Sequence, residues 1–221
     1  MTLSRIVRLS LGLSLVVVAS LSMTGTAYAK KDAAAAGAKT YPVIEMTNIK
    51  EFDGVFGEAK TIHETIDSQT AAMKTAHDNV NTVLGVAAGA PLSDAMKSAV
   101  AAAGGKLKVD MAGAVPHLKV DSGAEASVQK NADAINGLVD VGAKTVETVT
   151  QLIPQATKLV EACKDFPAQV PNLVTDPMAL IRATKVVTND MKAVISTPER
   201  IKALGDAAAA IFNDIKGAFA G

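Results

Sequence analysis

Tryptophan is absent from this chain, aromatic residues make up 3% of it, and Cys163 is its one cysteine. So few rings argue against a deep aromatic-lined pocket and for thin helix contacts built on the abundant alanine. A single cysteine excludes an internal disulfide, even in a compartment that would permit one. Cys163 falls in the apolar seam of an expected helix, which makes it a small buried hydrophobe. Net charge is also lacking, with 22 basic residues against 22 acidic ones. A balance near zero gives no nucleic-acid footprint and little drive towards anionic lipid.

The motifs of chemistry are missing as well. The chain contains no Gly-x-Ser-x-Gly, His-Glu-x-x-His, Walker glycine loop, calcium loop or Cys-x-x-Cys-His. No Glu-x-x-His occurs that could build a di-iron site between helices. There are three histidines. His63 and His77 stand fourteen residues apart in one expected helix, about 21 Å along its axis, too far to share a metal. Both sit in the apolar seam, where polar residues fix helix register. The expectation is a protein that is not an enzyme, with no cofactor, no metal and no catalytic residue.

What is present begins with a leader. Arg5 and Arg8 precede a short apolar run from Leu9 to Leu21, and Ala27-Tyr28-Ala29 supplies a small-x-small cleavage site. This pattern reads as a secretory signal peptide over residues 1–29, cut between Ala29 and Lys30. The rival reading, a retained anchor helix, suffers because the run is shorter than the roughly 20 residues a span needs. Export makes the mature chain periplasmic or extracellular. Residues 30–46 read as a flexible linker, and residues 47–221 as one helical domain.

The strongest pattern runs from Thr47 to Ala88. Ile49, Phe56, His63, Thr70, His77 and Leu84 recur every seventh residue, matched by Phe52, Ala59, Ile66, Met73, Val80 and Ala87. Six heptads predict about 60 Å of helix, capped at Thr47 or Asn48. A second seam, from a capping box at Ser122 and Glu125 through Val128, Ile135, Leu138, Leu152 and Leu159 to Phe166, predicts an antiparallel partner of similar length. Pro154 should bend it near Thr150. Two cap-then-proline signals, Asp176-Pro177 and Thr197-Pro198, predict shorter helices over 177–195 and 198–219. Asn172 to Thr175 reads as a single helical turn. The fold class is therefore all-α, an elongated bundle of two long antiparallel helices and two to three shorter ones, with a small insert at one end.

That insert, residues 83–121, departs from the helical period. Pro91 opens a short helix that Gly104-Gly105 stops. The tetrad Leu-Lys-Val-Asp then appears twice, at 107–110 and 118–121. A hairpin folded about 112–115 would set Leu107 against Val120 and Val109 against Leu118, at the cost of opposing Lys108 and Lys119. An irregular loop or continued helix fits this stretch equally well. Its apolar residues Leu92, Met96, Val100, Leu107, Val109, Met111, Leu118 and Val120 are the candidate membrane or partner contacts. Two functions follow as expectations. One is helix-mediated self-association or binding of a protein partner in the envelope or outside the cell. The alternative is a membrane-active or lipid-binding protein with a pore-former-like layout, working through the apolar 83–120 tip.

Overall fold

A computed structural model describes residues 41–87, 91–111 and 115–219. The fold is an all-α bundle with a small two-stranded insert, in the order α1 (Lys50–Leu84), α2 (Leu92–Ala102), β1 (Leu107–Asp110), β2 (His117–Val120), α3 (Ala126–Cys163), α4 (Phe166–Leu173) and α5 (Pro177–Phe219). The chain divides into two compact units. Unit 1 gathers Ala72–Val146 and Asp206–Gly221, and unit 2 gathers Gly37–Ala71 and Glu147–Gly205. The expected leader and its Ala29–Lys30 cleavage site lie outside the described residues.

Helix α1 starts one residue later than its heptads suggest. Ile49 is the cap residue, its carbonyl accepting from the Phe52 and Asp53 N–H groups at 2.9 Å. Thr47 organises this start from outside the helix. Its Oγ1 accepts from the Ile49 N–H at 3.0 Å and donates to Asp53 Oδ1 at 2.8 Å. The far end closes at Gly85, which takes φ +69° while its N–H reaches Thr82 O and the Val86 N–H reaches Asn81 O. This paired bonding satisfies the last carbonyls and requires a residue comfortable at positive φ.

Helix α2 begins at Leu92, with Pro91 as its cap residue and not its first helical one. The cap is the Pro91 carbonyl itself, with no side chain involved. The hairpin takes the register that places Leu107 opposite Val120 and Val109 opposite Leu118. The facing lysines are relieved diagonally, because Lys108 pairs with Asp121 at 2.6 Å and Lys119 pairs with Asp110. The repeated tetrad is thus complementary to itself when folded antiparallel.

Three sequence expectations need correction. The capping box at Ser122 does not form; Glu125 caps α3 through its carbonyl, bonded by the Val128 and Gln129 N–H groups. The proline-rich break holds an eight-residue helix, α4, because Pro167 sits in its first turn, where a missing N–H costs nothing. The two short C-terminal helices are one helix of 43 residues that runs through Pro198. Thr197 does not cap a new helix there. Its Oγ1 bonds back to Ala193 O at 3.1 Å, and Ser196 Oγ bonds the same carbonyl at 2.7 Å. The bundle therefore has three long helices.

In unit 1 the core surrounds Val80, Met96, Ile135, Leu138, Val139 and Ile215. Gly142 allows α5 to approach closely: a Cβ there would stand 3.0 Å from the Phe212 ring. In unit 2 the Phe166 ring stacks on Phe52 at 4.3 Å and meets Phe56 edge-on at 5.6 Å. Ile62 and Thr65, further along α1, line a groove with Leu152 and Gln155, earlier in α3, so these two helices run antiparallel. Helix α5 runs parallel to α1 in this unit, since His63 meets Thr197 and Asp67 meets Arg200.

Candidate functional site

The insert residues divide by burial. Leu92, Met96, Leu107 and Leu118 are buried in the core of unit 1, and Val100, Val109 and Val120 pack half-buried against that core. Met111 alone of the eight is exposed, at 47%. An amide that the sequence did not single out holds the hairpin. Asn136 of α3 accepts from the Leu118 N–H at 2.7 Å and donates to the Leu118 carbonyl at 3.0 Å.

Unit 2 carries a connected polar group. His63 is 7% exposed, and its Nε2 lies 2.9 Å from Thr197 Oγ1. Because Thr197 gives its proton to Ala193 O, its oxygen is left to accept from the ring, which fixes the Nε2–H tautomer. Burial, with the Arg200 charge second, lowers the His63 pKa to about 4. Arg200 reaches Asp67 at 2.6 Å and lies 4.9 Å from the centre of the Tyr41 ring. Buried Asp190 accepts from the Glu45 and Met46 N–H groups at 2.9 and 3.2 Å. Burial raises its pKa, and those two bonds oppose the rise. The group ties the segment before α1 onto α5 and satisfies each buried member. It fixes register and offers no free base or nucleophile.

Other chemistry is equally sparse. Among the described residues no three His, Cys, Asp or Glu side chains come together to hold a metal. Cys163 is buried in its seam, and desolvation raises its thiol pKa, which disfavours the thiolate. The groove beside Ile62 measures about 230 Å³ and adds Glu58 and Thr61 to its lining. That is below the roughly 300 Å³ at which small-molecule pockets begin.

The candidate site is instead a surface. The apolar residues in the first half of α5 include Met178, Ile181 and Ile195, with Ala183, Val187 and Val194. The structure buries only the last three. Met178 is 75% exposed, Ile181 67% and Ile195 57%, and Leu173 at the end of α4 is 44% exposed. Met178, Ile181, Lys185, Thr188, Lys192 and Ile195 recur at three- and four-residue steps, so they form one outward stripe along α5. The apolar part of this helix is wider than the core it faces. Periodicity shows which residues could share a seam, but not how many columns the neighbouring helices cover. Among known protein families, characterised proteins and solved structures, nothing matches this chain.

Proposed function

We propose that this protein is exported and acts by helix-mediated association with a protein partner or with itself, without catalysing a reaction. The observation that supports this reading best is the outward apolar face formed by Met178 and Ile181 on α5. Neighbouring large apolar side chains left in water are a recognised mark of a contact surface. Lys185 and Lys192 continue the same stripe and would form a polar rim. The lipid-binding alternative has less in its favour. Most of its candidate residues pack into the core of unit 1, and no helix among the described residues is long and apolar enough to cross a membrane.

The test uses a double variant, Met178→Glu with Ile181→Lys. Both positions are exposed, so the thermal melt should stay within about 1 °C of wild type, as for ordinary surface substitutions. Crosslinked adducts of the native protein, recovered from envelope or medium, should disappear. Adducts unchanged in the variant would remove this face from consideration. Recovery of the uncut chain in the cytoplasm would overturn the export reading.

A further inference from the structure

The two strands of the hairpin have unlike outer edges. The Asp121 N–H bonds Lys106 O at 2.9 Å, so Lys106 and Asp121 form a hydrogen-bonded pair of the antiparallel ladder. Alternation then makes Lys108/Lys119 and Asp110/His117 bonded pairs. It leaves Leu107, Val109, Leu118 and Val120 with N–H and C=O pointing away from the partner strand. On β2 this outward edge is occupied, because Asn136 takes both backbone groups of Leu118. On β1 no described residue bonds the outward groups of Leu107 or Val109. Edges of this kind template pairing with another strand.

We propose that the outer edge of β1 pairs antiparallel with β1 of a second copy of this chain, centred on Val109. The sequence Leu107-Lys108-Val109-Asp110-Met111 is complementary to itself about that centre. In this register Val109 opposes the second copy's Val109 and exchanges both backbone bonds with it. Lys108 opposes Asp110 of the second copy, and Asp110 opposes its Lys108. Leu107 opposes Met111, the exposed apolar residue of the insert. Lys108 and Asp110 already belong to diagonal pairs with Asp121 and Lys119, so pairing extends that alternating row of charge across four strands. A two-residue shift, which keeps the same outward backbone groups, would place Lys108 against Lys108 or Asp110 against Asp110, and this disfavours the alternative registers. The interface is small, so the dimer is a weak, concentration-dependent one. It is separate from the helical face of α5 and makes the chain a two-fold carrier of that face.

The experiment measures mass by light scattering up to about 1 mM protein, the concentration regime of a weak association. It also measures hydrogen exchange of the Val109 amide. Wild type should shift towards twice the monomer mass, and Val109 N–H protection should rise with concentration. Val109→Pro should stay monomeric and still melt cooperatively, a little below wild type for the lost valine packing, since that N–H serves no bond within the hairpin and proline is tolerated on such an edge. Lys108→Glu and Asp110→Lys, each alone, should weaken dimerisation about tenfold by opposing like charges. Mixed together they should dimerise again, since the hetero-pair opposes only unlike charges. A wild-type monomer at every concentration overturns the proposal, as does a Val109→Pro dimer or a mixture that fails to rescue. A dimer lost in the Met178/Ile181 double variant but kept in Val109→Pro would place self-association on the helical face instead.

Discussion

Unit 2 pairs all its buried polar side chains, whereas unit 1 pairs Thr145 with Val141 O but leaves others unmet. In unit 2, His63, Thr197 and Asp190 are buried and each has a hydrogen-bond partner, so polar groups set the register of α1 on α5. In unit 1, His77 Nε2 and both amide atoms of Asn81 are buried without a partner among the described residues. The apolar surface is distributed the other way round. Among the described residues, six of the seven large hydrophobic residues found exposed, Val43, Ile153, Leu173, Met178, Ile181 and Ile195, lie in unit 2, and Met111 lies in unit 1. One unit is tightly specified inside and sticky outside. The other exposes little large apolar surface among its described residues and carries unmet polar groups within. Interior polarity specifies a fold only where every member is paired, and unpaired it is a cost.

The largest test of this contrast is Phe166→Ala. It removes the ring that stacks on Phe52 and meets Phe56, and should cost unit 2 about 4 kcal/mol, as for other buried aromatic truncations. Denaturant melts would measure the loss, and a cost below about 1 kcal/mol would mean that the three rings do not act as one anchor. Next comes pH. His63 is neutral in the fold with a pKa near 4, against an unfolded value of 6.5. Between these values the unfolded chain binds more protons, so the His63 contribution is intact above pH 6.5 and is lost as pH falls to 4. The shift is worth on the order of 3 kcal/mol. Asp190 and Asp214, both raised by burial, oppose this trend, because their protonated forms are favoured in the fold as pH falls. His63→Gln isolates the histidine term. Its loss of stability from pH 7 to 4 should be smaller than wild type's by about that amount. Equal slopes in the two proteins would show that His63 is not buried as a neutral ring.

Much of this architecture is legible in the chain itself. Apolar spacing locates α1 and α3, Pro91 and Gly104 bound α2, and the duplicated Leu-Lys-Val-Asp tetrad offers the observed hairpin register as one of three readings. The largest failure, at Thr197-Pro198, has a tertiary cause. Thr197-Pro198 has the local chemistry of a helix start, but His63, 134 residues away, engages Thr197 inside a continuous helix. Tertiary packing overrides a local signal there, and no window of sequence contains both partners. Asp190 left a usable trace, an acid set among Val187, Met191 and Val194 in an apolar seam. Asn136 left none, since its role depends on where the backbone of β2 comes to lie. The candidate surface was half legible. The apolar stripe of α5 is written in its spacing, but its exposure depends on how far the neighbouring helices extend over it.

The smallest effect expected has the opposite sign, and it separates the two units most sharply. Asn81 is 2% exposed on α1 within unit 1, one turn beyond His77, and neither atom of its amide is bonded. Leucine has the same number of side-chain heavy atoms and the same branch point, is a better helix former and leaves nothing unsatisfied. Asn81→Leu should therefore stabilise the protein by about 1–2 kcal/mol, the range set by the desolvation penalty of an unpaired buried group. The matching change in unit 2, Thr197→Val, removes a hydroxyl that serves both His63 and Ala193, and should destabilise by about 1–2 kcal/mol through the unpaired ring nitrogen. Two polar-to-apolar substitutions of similar size would then move stability in opposite directions. Two losses in the denaturant midpoints would show that Asn81 is bonded in solution, and the contrast between the units would reduce to one of surface alone.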